Sequence, residues 1–233
     1  DPAINGATIR LLTRQGYEAV VCAEEACCGS LTHHMGREAD SLARARRSID
    51  QWTDAKVDAV IVTASGCGTT IKDYGFMLRL DPAYAGRAAA ISAKAKDIVE
   101  FLGGLELPPT QTKLRVAYHS ACSMQHGQKL GAQAQTLLRR AGFEVHDVPE
   151  GHLCCGSAGT YNILQPEIAT KLRDRKIANI MSTNCQVIAT GNIGCISQIA
   201  TGTELPILHT VELLEWAHGG RCPEKLKSIA GEI

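Results

Sequence analysis

The side chains best suited to chemistry in this sequence are its ten cysteines, spread over 233 residues. That content is too low for a disulfide scaffold and too high for incidental core thiols. Two Cys-Cys-Gly motifs occur, at residues 27–29 and 154–156, and Gly-Cys pairs follow them at 66–67 and 194–195. Recurrent thiols in a chain without a secretory pattern are typical of metal ligands or redox groups rather than of disulfides.

The composition excludes several classes of function. Basic and acidic side chains number 24 each, so the formal net charge is zero. Neutrality argues against nucleic acid or an anionic membrane as the main partner. No apolar run approaches the roughly 20 residues of a membrane span, and we expect a cytoplasmic protein, free or peripheral at the inner face of the cytoplasmic membrane. The sequence has no Ser/His/Asp set, Walker loop or dinucleotide fingerprint, so we predict no catalytic residue for substrate chemistry in this chain.

The chain reads as one unit present twice. Three landmarks recur at offsets of 126, 127 and 128 residues: 10–20 with 136–146, 27–30 with 154–157, and 66–67 with 194–195. A steady offset indicates an internal duplication. We predict a first module at residues 1–107 and a second at 108–233, with Pro108-Pro109 as the linker.

Each copy alternates predicted strands with predicted helices. The strands, chosen by β-branched and aromatic content, are residues 17–22, 58–64, 114–118, 143–148, 186–190 and 206–208. The helices, chosen by apolar spacing and by start and stop residues, are 4–14, 33–52, 83–102, 124–140 and 166–181. This alternation predicts an α/β fold of two pseudo-symmetric tandem modules with mainly parallel sheets.

Four cysteines of the second copy each follow a predicted strand, and these are Cys122, Cys154, Cys155 and Cys195. Because ligands of parallel sheets gather beyond the carboxyl ends of the strands, we expect these thiols to converge. Four thiolates suit an iron–sulfur cluster, which is normally held by four cysteines. A structural zinc site would need the same residues, although adjacent thiols such as 154 and 155 are awkward for one zinc. Redox thiols or inert core thiols are the third interpretation.

The first copy is one thiol short, since it carries only Cys27, Cys28 and Cys67. The repeat offset places the counterpart of Cys122 near position −4, and the sequence starts at Asp1 without an initiating Met. We therefore expect the natural protein to extend further upstream. Three further cysteines have no counterpart in the other copy and are predicted to be ordinary thiols: Cys22, Cys185 and Cys222.

These motifs resemble the cysteine-rich CCG domains of heterodisulfide reductases and their relatives. More closely, four segments resemble the iron–sulfur subunits of glycolate oxidase (glycolate dehydrogenase), and the segments are 42–46, 63–68, 152–161 and 189–195. The resemblance covers essentially the whole chain. The run His-Leu-Cys-Cys-Gly-Ser-Ala-Gly-Thr-Tyr at 152–161 is the most specific of the four.

The resemblance implies an electron-transfer subunit with 4Fe–4S clusters. Such a subunit works beside FAD-containing partner subunits and passes electrons from a 2-hydroxy acid toward a quinone, with no FAD of its own. Carried over residue by residue, the implied cluster ligands are Cys27, Cys28, Cys67, Cys122, Cys154, Cys155 and Cys195.

Two positions depart from the heterodisulfide reductase pattern, which has a fifth cysteine three residues before the last. Ala64 and Asn192 stand there, which favours four-cysteine clusters and weakens the alternative of a thiol–disulfide reductase. Related subunits for lactate or glycerol 3-phosphate oxidation share the motif plan, and a zinc-stabilised interaction module is a further alternative. His119 and His126 flank Cys122; we expect satisfied polar residues at a helix start, with hydrogen bonding to cluster sulfur as the alternative.

Overall fold

Every pair of strands among the residues that the structure describes runs parallel. The computed structural model describes residues 1–23, 26–110 and 112–230. In the first half, two strands form one sheet: β1 (Val60–Val62) and β2 (Ala95–Asp97). The helices of this half are α1 (Pro2–Arg14), α2 (Ser30–His34), α3 (Glu38–Asp54), α4 (Ser65–Lys72), α5 (Tyr74–Met77), α6 (Ala85–Lys94) and α7 (Ile98–Gly103).

The second half holds a four-stranded sheet in the order β4-β3-β5-β6. Its strands are β3 (Arg115–Tyr118), β4 (Glu144–Asp147), β5 (Val187–Thr190) and β6 (Ile207–His209). A π-helical turn at Ser123–Gly127 and a 3-10 turn at Glu224–Leu226 accompany its α-helices, which are α8 (Gln133–Arg140), α9 (Tyr161–Leu164), α10 (Pro166–Met181), α11 (Ile193–Ala200), α12 (Thr210–Ala217) and α13 (Lys227–Ala230). The predicted α/β class with parallel sheets is confirmed, and the two sheets are compatible with a duplication.

The predicted strand at residues 17–22 is wrong, because this segment follows α1 as irregular chain. Its counterpart in the second half is β4, which pairs only with β3. Among the described residues, no strand pairs with this segment.

Three predicted helices are interrupted. The helix expected at 33–52 is divided between α2 and α3 by Gly36, whose φ of +72° ends the first piece. The helix expected at 124–140 starts as a π-helical turn and breaks where Lys129 and Gly131 adopt φ values of +57° and +49°. The long helix expected at 83–102 contains the strand β2, which pairs with β1.

The larger hydrophobic core lies around the four-stranded sheet. Side chains of β5 are fully buried on both faces, as expected for a central parallel strand. Helix α1 contributes Ile4 and Leu11 to the same core, and Glu215 of α12 accepts hydrogen bonds from Arg10 and Arg14. A smaller core, which includes Ile49 and Tyr74, packs beneath β1 and β2.

The two sheets meet at a seam of reciprocal contacts. Asp97 and His209 end β2 and β6, and each forms a capping box at the start of the next helix. His209 Nδ1 accepts from the backbone N–H of Val211, so Nε2 is the protonated nitrogen and donates to the carbonyl of Thr63 at 2.7 Å. Gln128 donates to the Asp97 carboxylate at 3.4 Å. Each half therefore places one capping side chain against the other half.

These two capping residues have opposite effects on the pH dependence of stability. Complete burial lowers the pKa of His209 to about 4 from 6.5. Below pH 6.5 the unfolded chain binds the proton first, so this stabilising contribution is lost as the pH falls through that window, about 3 kcal/mol in all. Burial raises the pKa of Asp97 to about 6 from 3.8, so its contribution is lost as the pH rises from 3.8 to 6, again about 3 kcal/mol.

Substitution by asparagine, which also caps helices, separates the two effects. Relative to the parent protein, His209→Asn should gain free energy of unfolding as the pH falls from 6.5 to 4. Asp97→Asn should gain it as the pH rises from 3.8 to 6. Urea unfolding at several pH values measures both. Slopes of the same sign for the two variants would contradict this assignment.

Candidate metal centre

Four thiols of the second half meet at the carboxyl edge of its sheet. Cys122 lies just before the π-helical turn that follows β3, and Cys195 lies in the first turn of α11, directly after β5. Cys154 and Cys155 lie in the loop between β4 and α9. Asn192 holds the start of α11 because its Oδ1 accepts from the backbone N–H of Gly194 at 2.9 Å.

The Cys-Cys-Gly loop requires its glycine. Gly156 has a φ of +90°, and a Cβ at this position would lie 2.3 Å from the backbone carbonyl oxygen of Ala169 in α10. The loop therefore lies directly on α10, and its backbone N–H at Gly156 donates to the Cys154 sulfur at 3.3 Å. The first half repeats this arrangement, since Gly29 has a φ of +84° and a Cβ there would lie 3.0 Å from the carbonyl oxygen of Ser41 in α3.

The sulfur atoms of the second half form one connected group, which we call the second site (Cys122, Cys154, Cys155 and Cys195). The sulfurs of Cys155 and Cys195 are 3.3 Å apart. The thiol of Cys122 also interacts with that of Cys154, and Cys154 interacts with Cys155. Cys155 and Cys195 are buried, whereas Cys122 is exposed, so the site opens to solvent at Cys122.

Protons are shared unequally within the second site. Hydrogen bonding from Cys155 lowers the pKa of Cys195, and hydrogen bonding from Cys122 and Cys155 lowers that of Cys154. The pKa values of the donors, Cys122 and Cys155, are raised by the same contacts. Two thiolates are thus favoured before a metal arrives. Ligation by all four sulfurs would release the remaining protons.

His119 is a buried side chain beside the second site. It is 2% exposed, and neither ring nitrogen has a hydrogen-bond partner of ordinary geometry among the described residues. A ring nitrogen and the sulfurs of Cys155 and Cys195 all lie within 4.8 Å of one another, and in addition to Cys155 the ring lowers the pKa of Cys195. The expectation of an ordinary satisfied polar residue is therefore wrong for His119, and the position of its ring fits the alternative of an interaction with a cluster sulfur. Thiols with a buried imidazole beside them fit a bound metal centre.

Three thiols of the first half form a smaller group, which we call the first site (Cys27, Cys28 and Cys67). Interaction with Cys67 raises the pKa of the buried Cys28 thiol, and Cys27 beside it is exposed. The hydroxyl of the buried Tyr74 donates to the Cys28 carbonyl at 2.7 Å. The structure thus brings the predicted ligands into two groups, while ligation itself stays a prediction.

Two of the cysteines predicted to be ordinary thiols lie in other surroundings. Cys185 and Cys222 hydrogen-bond only weakly, to backbone carbonyls, at 3.9 and 3.7 Å. One buried charged residue near the site, Lys176 in α10, was not identified from the sequence. Its spacing from Ala169 and Ile180 places it on the helix face that packs inward, which is the signal that could have identified it.

Fold and site together define a class, that of α/β proteins with paired cysteine-rich sites at the carboxyl edges of parallel strands. The family described as "CCG: Cysteine-rich domain" matches residues 1–72 and 116–200. The chain belongs to this cysteine-rich domain family, as the resemblance predicted.

Curated relatives place the chain more closely. It is 40% identical over 221 residues to the "Glycolate oxidase iron-sulfur subunit" of Escherichia coli (strain K12), covering 93% of this chain and 54% of that protein. It is 34% identical over 205 residues to the "Probable glycolate oxidase iron-sulfur subunit" of Bacillus subtilis (strain 168), covering 86% and 46%. The chain thus spans about half the length of these two relatives.

A second group of relatives matches along most of both chains. The "Lactate utilization protein A" of Oceanobacillus iheyensis is 29% identical over 219 residues, covering 89% of this chain and 88% of that protein. Within the described residues, no helix combines the length and the apolar character needed to cross a membrane.

Proposed function

We propose that this chain is the iron–sulfur electron-transfer part of a flavin-dependent glycolate (2-hydroxy acid) oxidase or dehydrogenase. The observation that carries the proposal is the buried group of Cys155, Cys195 and His119, with Cys154 and Cys122 next to it. The two glycolate oxidase relatives support it by their names. In this proposal FAD belongs to partner subunits, and the electrons continue toward a quinone.

A 4Fe–4S cluster, when bound, supplies one-electron transfer without chemistry on the substrate. Cys122, Cys154, Cys155 and Cys195 would hold it in the second site. The chain's own contribution is to exclude water around the buried Cys155 and Cys195 and to leave the site open to solvent at Cys122. The thiols of the first site, Cys27, Cys28 and Cys67, would hold a second centre. We place this activity in the cytoplasm or at the inner face of the cytoplasmic membrane.

A related candidate is a subunit that serves lactate oxidation. The observation that favours it is the match to Lactate utilization protein A along about nine-tenths of both chains. The thiol–disulfide reductase alternative is less favoured, because Asn192 takes the place of the extra cysteine and is fully engaged. Its amide caps α11 and donates to the Ser65 hydroxyl at 3.1 Å.

Metal analysis after anaerobic purification tests the proposal. We expect iron and acid-labile sulfide at about four of each per occupied site, and an EPR signal after reduction with dithionite. Stoichiometric zinc without sulfide would instead support the zinc-stabilised module. Reduction of the centre by flavin-containing partner subunits, with glycolate and lactate compared as donors, then separates the two substrate classes.

A further inference from the structure

A lysine ammonium group is buried beside the loop that carries Cys154. Lys176 is completely buried, and its Nζ donates to the backbone carbonyl of Glu150 at 2.9 Å. The same carbonyl accepts from the backbone N–H of Leu153, also at 2.9 Å. The ammonium group therefore lies against the turn that leads directly into the Cys-Cys-Gly loop.

No carboxylate forms an ion pair with this ammonium group among the described residues. The Glu150 carboxylate is held by Arg175 and by the Asn179 amide, and Lys176 bonds to the Glu150 backbone instead. A buried ammonium group without a counterion is strongly unfavourable. The acidic groups in the surroundings of Lys176 include the Glu150 carboxylate and the thiols of Cys154, Cys155 and Cys195. A centre held by thiolates in the second site would therefore place negative charge close to Lys176.

The duplicated fold provides an internal comparison. Ser41 in α3 and Ala169 in α10 correspond, because the carbonyl of each closes on the glycine of its Cys-Cys-Gly loop. Lys176 follows Ala169 at the same spacing as Ser48 follows Ser41, so Lys176 corresponds to Ser48, which is also buried. Ser48 is a neutral residue. The first site therefore has a neutral group where the second site has a cation.

We propose that Lys176 is a built-in countercharge that raises the reduction potential of a centre held in the second site and makes that site the electron-accepting end of the chain. The proposal rests on the proposed iron–sulfur function. One-electron reduction adds one negative charge and no proton, and a fixed cation in a low-dielectric interior stabilises the reduced state more than the oxidised state. The neutral Ser48 gives the first site no such stabilisation.

Three variants test this role by redox titration of the anaerobically purified protein, followed by EPR. Lys176→Gln keeps a donor for the Glu150 carbonyl and removes the charge, and Lys176→Met removes both. Each should make reduction at least tenfold less favourable, which is a fall of about 59 mV for a one-electron couple. Lys171→Met is the matched control, because it removes an exposed lysine from the same helix and should leave the potential unchanged.

The outcomes are distinguishable. An unchanged potential in Lys176→Gln with full iron content would overturn the countercharge role, as would an equal shift in Lys171→Met. A parent protein without iron and sulfide would overturn the proposed function instead. Amine labelling of the parent protein gives a reading that needs no variant, since Lys176 should be protected while Lys171 reacts. Equal labelling of the two lysines in the iron-loaded protein would contradict the burial of the charge on which the proposal depends.

Discussion

Cys195→Ser should abolish iron and sulfide binding at the second site. Cys195 is buried, its sulfur is 3.3 Å from that of Cys155, and it shares the neighbourhood of His119. Serine keeps the size of the side chain but lacks a thiolate, so one quarter of the ligand set is lost. Because metal binding and folding are linked, the free energy of unfolding of the loaded protein should fall as well. Iron and sulfide analysis, together with urea unfolding, measures both effects.

Cys185→Ser is the matched control for this experiment. Cys185 is also partly buried in the second half, where it packs against the hydrophobic core and its sulfur donates weakly to the Ile180 carbonyl at 3.9 Å. The control should keep its full iron content. If Cys195→Ser retained as much second-site iron and sulfide as Cys185→Ser, the ligand set assigned to this site would be incorrect.

Gly156→Ala should destabilise the protein far more than Gly16→Ala. The two glycines have nearly the same φ, +90° and +84°, so both variants incur the left-handed backbone cost of about 1–2 kcal/mol. Only at Gly156 does the added Cβ meet a backbone atom, the carbonyl oxygen of Ala169 at 2.3 Å, whereas the space around Gly16 is open. A backbone carbonyl cannot rotate away, so we expect at least about 2 kcal/mol of additional destabilisation.

The same substitution should also weaken the metal site. Movement of the loop away from α10 would carry Cys154 and Cys155 out of contact with Cys195. Urea unfolding compares the stabilities of the two alanine variants, and iron analysis compares their metal content. Equal stability and equal iron content in the two variants would show that the loop does not depend on its close approach to α10.

The arrangement of the strands and the convergence of the thiols could be predicted because both follow from local patterns. Apolar β-branched runs alternating with helices predict parallel strands, and parallel strands gather the residues that follow them. Strand β2 could not be predicted, since three residues within the alanine-rich run 83–102 have no period of their own. A capping box at Asp97 and Glu100 was the available signal that a new helix starts there.

The electrostatic details of the site depend on packing that sequence patterns do not contain. The spacing of His119 from Cys122 indicates proximity, but only the fold reveals that its buried ring lies within 4.8 Å of the sulfurs of Cys155 and Cys195. Lys176 is similar, because a lysine within an amphipathic helix normally reaches solvent through its flexible chain. The strand expected at 17–22 failed for a different reason: its composition suits a strand, yet a strand also needs a neighbour to pair with, and none pairs with it among the described residues.

The reciprocal seam has a consequence for the folding kinetics of the chain. The hydrogen bond from His209 to Thr63 joins residues 146 apart, and that from Asn192 to Ser65 joins residues 127 apart. Contacts of such long range form slowly, because the chain must lose the entropy of closing a long loop before the contacts supply any favourable free energy. Ser65 and Asn192 lie close in sequence to Cys67 and Cys195. The two sites should therefore reach their final geometry together, in one late step of folding.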